Sequence, residues 1–346
     1  MNRMLSCSTA LALVFTATGA MADVTPEEVW QSWQALATSA GQEMTFDSAT
    51  QTGDTLAVTG LVITSTDDMG GSFSAELDQM NFKDNGDGTV SVTMADSYPM
   101  TLAFPEGEDG PSSMKLTVSQ PGMVVTAAGV AAETSYDFAV PTVAIKLDEV
   151  TGEDGKPLDA QADLVLTDTA AKYLVKRDGD TTALDSSFSA KSMALTVAGK
   201  DVEGKSEGTV TLSMTDLVGA TKGNFLGAEV MANMAVALNS GFTTDSSFSF
   251  GAVSMTADIT EEGGPTKLAG SAQGGDFVLG INKEQITYGT GLKGASFVVR
   301  AKFCGVSDFD TGIRILNAVS PKLTATSGKG ISGPETVKLA PFKPVP

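Results

Sequence analysis

The sequence predicts a mainly β protein. Its expected form is a large curved antiparallel sheet, a meander of hairpins, with an N-terminal amphipathic helix and a second helix near residues 224–240. Three observations carry this. Apolar residues alternate with Ser, Thr, Lys or Asp in short runs such as Val90-Ser91-Val92-Thr93-Met94, Met114 to Val118, Val143 to Leu147 and Met193 to Val197, which marks strands with one buried and one wet face. Turn chemistry separates the runs, as in Asp84-Asn85-Gly86-Asp87-Gly88, Glu153-Asp154-Gly155-Lys156-Pro157 and Glu261-Glu262-Gly263-Gly264-Pro265. Helical periodicity is confined to two segments.

Taken from the start, residues 1–22 have the order of a secretory signal peptide. Arg3 is followed by an apolar stretch from Met4 to Thr16, and the segment closes on Ala20-Met21-Ala22 before Asp23. Cys7 precedes most of the apolar stretch, so a lipidated cleavage point is not expected. Cleavage would remove Arg3 and no acid, taking the formal charge from −20 to −21. It would leave Cys304 as the single cysteine, with no intrachain disulfide. A periplasmic or secreted location is the expectation.

Thr25-Pro26-Glu27-Glu28 then opens the first helix, with Thr25 as N-cap, Pro26 at the first helical position and Glu28 completing a capping box. Val29, Trp33, Leu36 and Ala40 recur at helical spacing, and Gly41 supplies the stop. Both tryptophans, Trp30 and Trp33, fall on this helix. Anchoring it to a sheet is the expected role, and an exposed aromatic docking face is the functional alternative.

The β-rich domain is expected over residues 23–299. From about Asn224, the spacing of Leu226, Val230, Met234 and Leu238, ended by Gly241, predicts a helix packed across one face of the sheet. Asp185-Ser186-Ser187-Phe188-Ser189 is echoed by Asp245-Ser246-Ser247-Phe248-Ser249, and less well by Gly71 to Ala75, at unequal spacings that suit repeated strand starts rather than a solenoid. Residues 300–346 differ. They hold seven Lys+Arg against three Asp+Glu, together with Cys304 and a Pro-rich end, and are expected to leave the sheet as a basic tail that is not its native continuation.

The composition argues against several chemistries. A chain without histidine lacks the commonest general base, the commonest metal ligand, and the partner that activates a nucleophilic Ser or Cys. With 22 Lys+Arg against 42 Asp+Glu it repels phosphate backbones, so no nucleic-acid partner is expected. No segment has the apolar length of a membrane helix, and two Trp and four Tyr are few for the aromatic girdles of a membrane barrel, so an integral membrane protein is not expected.

Gly289-Thr290-Gly291-Leu292-Lys293-Gly294 has the G-x-G-x-x-G spacing, but the strand-like Ala295 to Val299 follows where a dinucleotide site needs a helix; a glycine-rich hairpin turn is expected. Asp84 to Gly88 places glycines at alternate positions where a calcium loop needs oxygen ligands. The many carboxylates sit among Gly and Pro, where solvated turns explain them. No catalytic residue, cofactor or metal site is therefore expected.

The segment Asp23 to Trp30, with Gly53 to Leu61 and Asp84 to Val90, resembles an uncharacterised exported family of alphaproteobacteria, catalogued as domain of unknown function 2125, over roughly residues 1–294. The matching motifs are structural, so the resemblance implies export and a shared fold but no catalytic residue. It also implies further strands and helices beyond that point in the family. The break near Gly294 makes this chain an expected truncated or frame-disrupted copy. The functional expectation is non-catalytic binding of an apolar ligand or lipid in the cell envelope. A structural or protein-interaction component of the envelope is the alternative.

Overall fold

The computed structural model describes residues 23–326, apart from 40, 68–69, 108–109, 153–154, 180, 202–203, 232, 263, 302–308, 316–317 and 320–322. The signal segment, Cys304 and the Pro-rich end therefore lie outside the described residues.

The chain opens with α1 (Pro26–Ser39), and the predicted capping box is present. The Thr25 backbone N–H donates to Glu28 Oε2 at 2.9 Å, and the Glu28 N–H donates back to Thr25 Oγ1 at 3.3 Å. The strands then run to and fro in sequence order. First come β1 (Gln42–Thr45) and β2 (Ser48–Thr52), end to end, followed by β3 (Thr55–Thr66) and β4 (Ser72–Asp84). Next are β5 (Thr89–Met94) with β6 (Ser97–Gly107), and β7 (Gly110–Ser119) with β8 (Val124–Val130). Four long strands follow: β9 (Glu133–Thr151), β10 (Ala160–Asp178), β11 (Thr181–Lys200) and β12 (Glu207–Phe225). After α2 (Ala228–Met231) and α3 (Met234–Asn239) come β13 (Thr243–Phe250) with β14 (Val253–Glu261), and β15 (Gly264–Ala272) with β16 (Gly274–Ile281). Last are β17 (Gln285–Lys293) with β18 (Ala295–Ala301), then β19 (Phe309–Ile315), β20 (Ala318–Val319) and β21 (Leu323–Thr326).

Each end-to-end set pairs with the strand or set before it. The 21 described strands thus make 13 rungs, and every pairing is antiparallel. The meander is simple: each rung is bonded only to its neighbours in sequence. Among the described strands, none joins the first rung to the last, so the sheet is open.

Most rungs are interrupted near their middle. In β3 the inward residues are Leu56 and Val58, then Leu61 and Ile63, a step of three residues where alternation allows two. The same step separates Leu77 from Met80, Val140 from Val143, Leu166 from Thr169, Ala190 from Met193 and Met214 from Leu217. Backbone of unusual hand marks the step: Gly60 has φ 62°, and Asp168 and Asp216 have φ 47° and 52°. Asp tolerates this left-handed region better than most side chains. Facing strands take the step together, as in Val58↔Met80 and Leu61↔Leu77, so the register is unbroken and the same face stays inward on both sides. The result is a crease across the sheet, dividing it into two wings.

The core lies at the N-terminal end. Val29 and Trp30 of α1 sit against Leu56, Val58, Phe82, Val90, Val92, Val125 and Tyr136, each at most 3% exposed. Polar ties hold α1 down: Ser32 Oγ lies 2.9 Å from Tyr136 Oη, and Arg177 Nη2 donates to Ser32 Oγ at 3.0 Å.

Three expectations are refined or corrected. First, the helix expected near residues 224–240 is present but in two pieces: Asn224 and Phe225 finish β12, paired with Thr243 and Thr182, and α2 and α3 follow. Asn233 causes the restart, its side chain accepting from the Ala235 and Val236 N–H groups as an N-cap. These short helices link β12 to β13 and pack mainly on one another rather than across the sheet. Second, Gly289 to Gly294 is no hairpin turn: Gly289 to Lys293 belong to β17, and Gly294, φ 58°, is a corner of the crease. Third, strand pairing continues past residue 299, because β19 pairs with β18 from Ala295↔Ile315 to Ala301↔Phe309, and β20 and β21 pair with β17.

Candidate functional site

Directly opposed residues in an antiparallel pair share a face. The buried face under α1 can therefore be followed across the sheet by register. In one wing the row runs Leu56, Phe82, Val92, Val125, Phe138, Ala171, Phe188, Gly219, Phe248, Phe277. In the other it runs Tyr98, Val118, Ile145, Leu164, Leu195, Leu212, Met255, Gly270, Phe297. We call these the aromatic and aliphatic wings.

Burial changes along these rows while chemistry does not. The first residues of the aromatic row are covered by α1; from β10 onward Leu164, Leu195, Leu212, Met255, Phe188, Phe248 and Phe277 are half-buried. Tyr173, Val197, Val210, Ile286 and Tyr288 on the same face are exposed, at 37–50%. A single scattered apolar residue on a surface is ordinary, but a continuous apolar face is not.

The opposite face carries the charge. Lys172 pairs with Asp137 at 2.8 Å, Lys176 with Glu133 at 2.8 Å, Lys222 with Asp185 at 3.3 Å and Lys267 with Asp258 at 2.7 Å, all across neighbouring strands. These exposed pairs add little stability, but like the Thr211–Thr256 and Ser213–Ser254 hydroxyl contacts at 2.7 and 2.8 Å they suit only one register. The repeated Asp-Ser-Ser-Phe-Ser segments are explained here. Both pair with β12, placing Asp185 and Asp245 on either side of Lys222, and Phe188 and Phe248 on either side of Gly219.

A cavity of about 350 Å³ opens on the apolar face, lined by Leu212, Val253, Met255, Gly270, Ala272, Leu292, Ala295 and Phe297, with Ser271 and Ser296. It lies within the usual ligand range of about 300–1,000 Å³. A second, polar hollow of about 450 Å³ lies near the ends of β10–β12 and is lined by Asp159, Lys200, Glu207 and Asp258 among others.

The structure gives each residue singled out from the sequence a definite place. Trp30 is 2% exposed, its ring 5.4 Å from Phe46 and 5.7 Å from Phe82, so the docking role weighed for it has no free surface to act through. Trp33 is half-buried, edge-on to Phe82 at 5.6 Å and tilted toward Tyr136 at 6.3 Å. Both anchor α1. In the Asp84 to Gly88 turn the side-chain oxygens serve the loop itself: Asp84 Oδ1 accepts from Gly86 N–H at 2.7 Å, and Asp87 Oδ1 accepts from the Thr89 hydroxyl at 2.6 Å and its N–H at 3.1 Å. These bonds, the hydroxyl's first, hold the Asp87 carboxyl below its ordinary pKa.

Among the described residues, no helix is long and apolar enough to cross a membrane.

No family model, curated protein or solved structure matches this chain.

Proposed function

We propose that the protein binds an apolar ligand, a lipid or an acyl chain, along the uncovered apolar face, without catalysing a reaction. One observation carries this: the face that α1 buries at the N-terminal end continues with the same apolar character over β11–β18, where Leu195, Leu212, Met255, Phe248 and Phe277 are only half-buried and Val197, Val210, Ile286 and Tyr288 are exposed. An apolar surface of that extent is costly in water, and covering it with a hydrocarbon ligand removes the cost. An exported protein of the cell envelope would meet such ligands, and the signal-like residues 1–22 support that setting. The test is extraction of the purified exported protein followed by mass spectrometry, with titration of a fluorescent fatty acid alongside. Co-purified lipid and saturable binding are expected. Absence of both would sink the proposal.

A structural or protein-interaction role is the second reading, favoured by the open first rung. Every residue of β2 is exposed and the strand pairs only with β3, which leaves an edge able to accept an added strand. Crosslinking in intact cells, with recovery of the monomer alone, would count against it.

A further inference from the structure

We infer that the gap at Gly270 is a slot for one linear acyl chain, and that Gly270 sets how much of the chain can be buried. This rests on the proposed binding of an apolar ligand and names the part of the ligand that the cavity takes. The charge pattern fixes the class of occupant. Between the end turns of β11–β17, the charged side chains, including Asp185, Lys222, Asp245, Lys267 and Asp276, alternate onto the face opposite the apolar rows. A charged group laid on the apolar face would be desolvated without a counter-ion, so its complement is uncharged hydrocarbon.

Shape narrows it further. In the aliphatic row each register position from Leu164 to Phe297 carries a large side chain except Gly270. Its neighbours Met255 and Phe297 stand two strand spacings apart, about 9.6 Å. They approach to 3.9 Å (Met255 Cε) and 3.4 Å (Phe297 Cδ2) from where a Cβ at Gly270 would sit, and so wall the gap on both sides. The cavity of about 350 Å³ extends from this gap to Leu212 on one side and Leu292, beside the crease, on the other. A gap one side chain wide, walled by a flexible thioether and a ring, takes a polymethylene chain end-on or lengthwise. A fused ring system is too broad for it.

Ala220 of β12, exposed on the opposite, charged face, lines none of the cavity at Gly270. It is therefore the control.

The experiment titrates monoacylglycerols from octanoyl to stearoyl into the full mature chain, as wild type, Gly270→Leu and Ala220→Leu, after checking each for an unaltered far-UV spectrum. Each methylene kept from an apolar site costs roughly fourfold in affinity. Filling the slot with a leucine displaces about three methylenes, so Gly270→Leu is expected to bind the stearoyl ligand about sixtyfold more weakly while matching wild type for octanoyl. Ala220→Leu should follow the wild-type series. If Gly270→Leu fails to fold, Gly270→Ala serves: its Cβ makes only an ordinary contact with Phe297, and a loss of about fourfold at the long end is expected. Superimposable wild-type and Gly270-variant series would overturn the slot while leaving lipid binding standing. An equal loss in Ala220→Leu would overturn it too. A wild type that binds no member of the series overturns both.

Discussion

Truncating Trp30 to alanine tests the packing of α1 most directly. The indole is 2% exposed and meets Phe46 and Phe82 at centroid distances of 5.4 and 5.7 Å. Emptying a buried tryptophan site costs about 3–5 kcal/mol, the upper part applying where rigid neighbours prevent collapse. Here the neighbours are a sheet face and two aromatic rings, so about 4 kcal/mol is expected. With roughly 300 ordered residues at about 2.1 cal/mol/K each, the melting entropy is near 0.6 kcal/mol/K and Tm should fall by about 6 °C. Urea unfolding followed by far-UV circular dichroism measures the free energy, and a thermal scan gives Tm. Because α1 would loosen over Phe82 and Tyr136, an environment-sensitive apolar dye should also bind more strongly to the variant. A loss below about 1 kcal/mol would refute the reasoning, since it would mean the indole is not part of the core.

Leu195→Asp should abolish acyl-chain binding while costing less than about 1.5 kcal/mol of stability in urea titration, because Leu195 is half-buried on an uncovered face. Gly60→Ala should cost about 1–3 kcal/mol, because φ is 62° and the new Cβ would run into the Asp47 carboxylate; chemical denaturation reads this directly. The Asp87 carboxyl is held below its ordinary value in the folded chain, so its bonds to Thr89 are intact above the unfolded pKa and are lost as pH falls through the folded one. Hydrogen exchange at the Thr89 amide should accelerate in that acid window in wild type, and at neutral pH in Asp87→Ala. Lys172→Gln, which removes an exposed pair with Asp137, should change stability by no more than about 0.5 kcal/mol in the same denaturation assay.

Much of the sheet was legible as alternation, because each strand has one apolar and one polar face and the residues say so. What alternation hid was strand length. Val143 to Leu147 and Met193 to Val197 read as separate short strands, yet they are the second halves of β9 and β11, 19 and 20 residues long. The extra residue at the crease shifts the phase of the pattern, so a period-two count stops there. The three-residue steps Val140 to Val143 and Ala190 to Met193 were the available signal. The helix expected near residues 224–240 is there, but it starts only at Ala228 and restarts after Asn233: Leu226, Val230, Met234 and Leu238 keep helical spacing, while Asn224 and Phe225 gain more from pairing to β11 and β13. The cavity was not legible at all. It depends on Gly270 coming to lie between Met255 and Phe297, which only strand register decides.

Because every described rung is bonded only to its neighbours in sequence, the length of the apolar face is a modular quantity. One more hairpin at the open end would extend both rows without disturbing the packing beneath α1, and one fewer would shorten them. Capacity for a longer or shorter guest can thus change by insertion or deletion of whole hairpins, while the nucleus at the helix end stays as it is. A protein built this way can be resized without being redesigned.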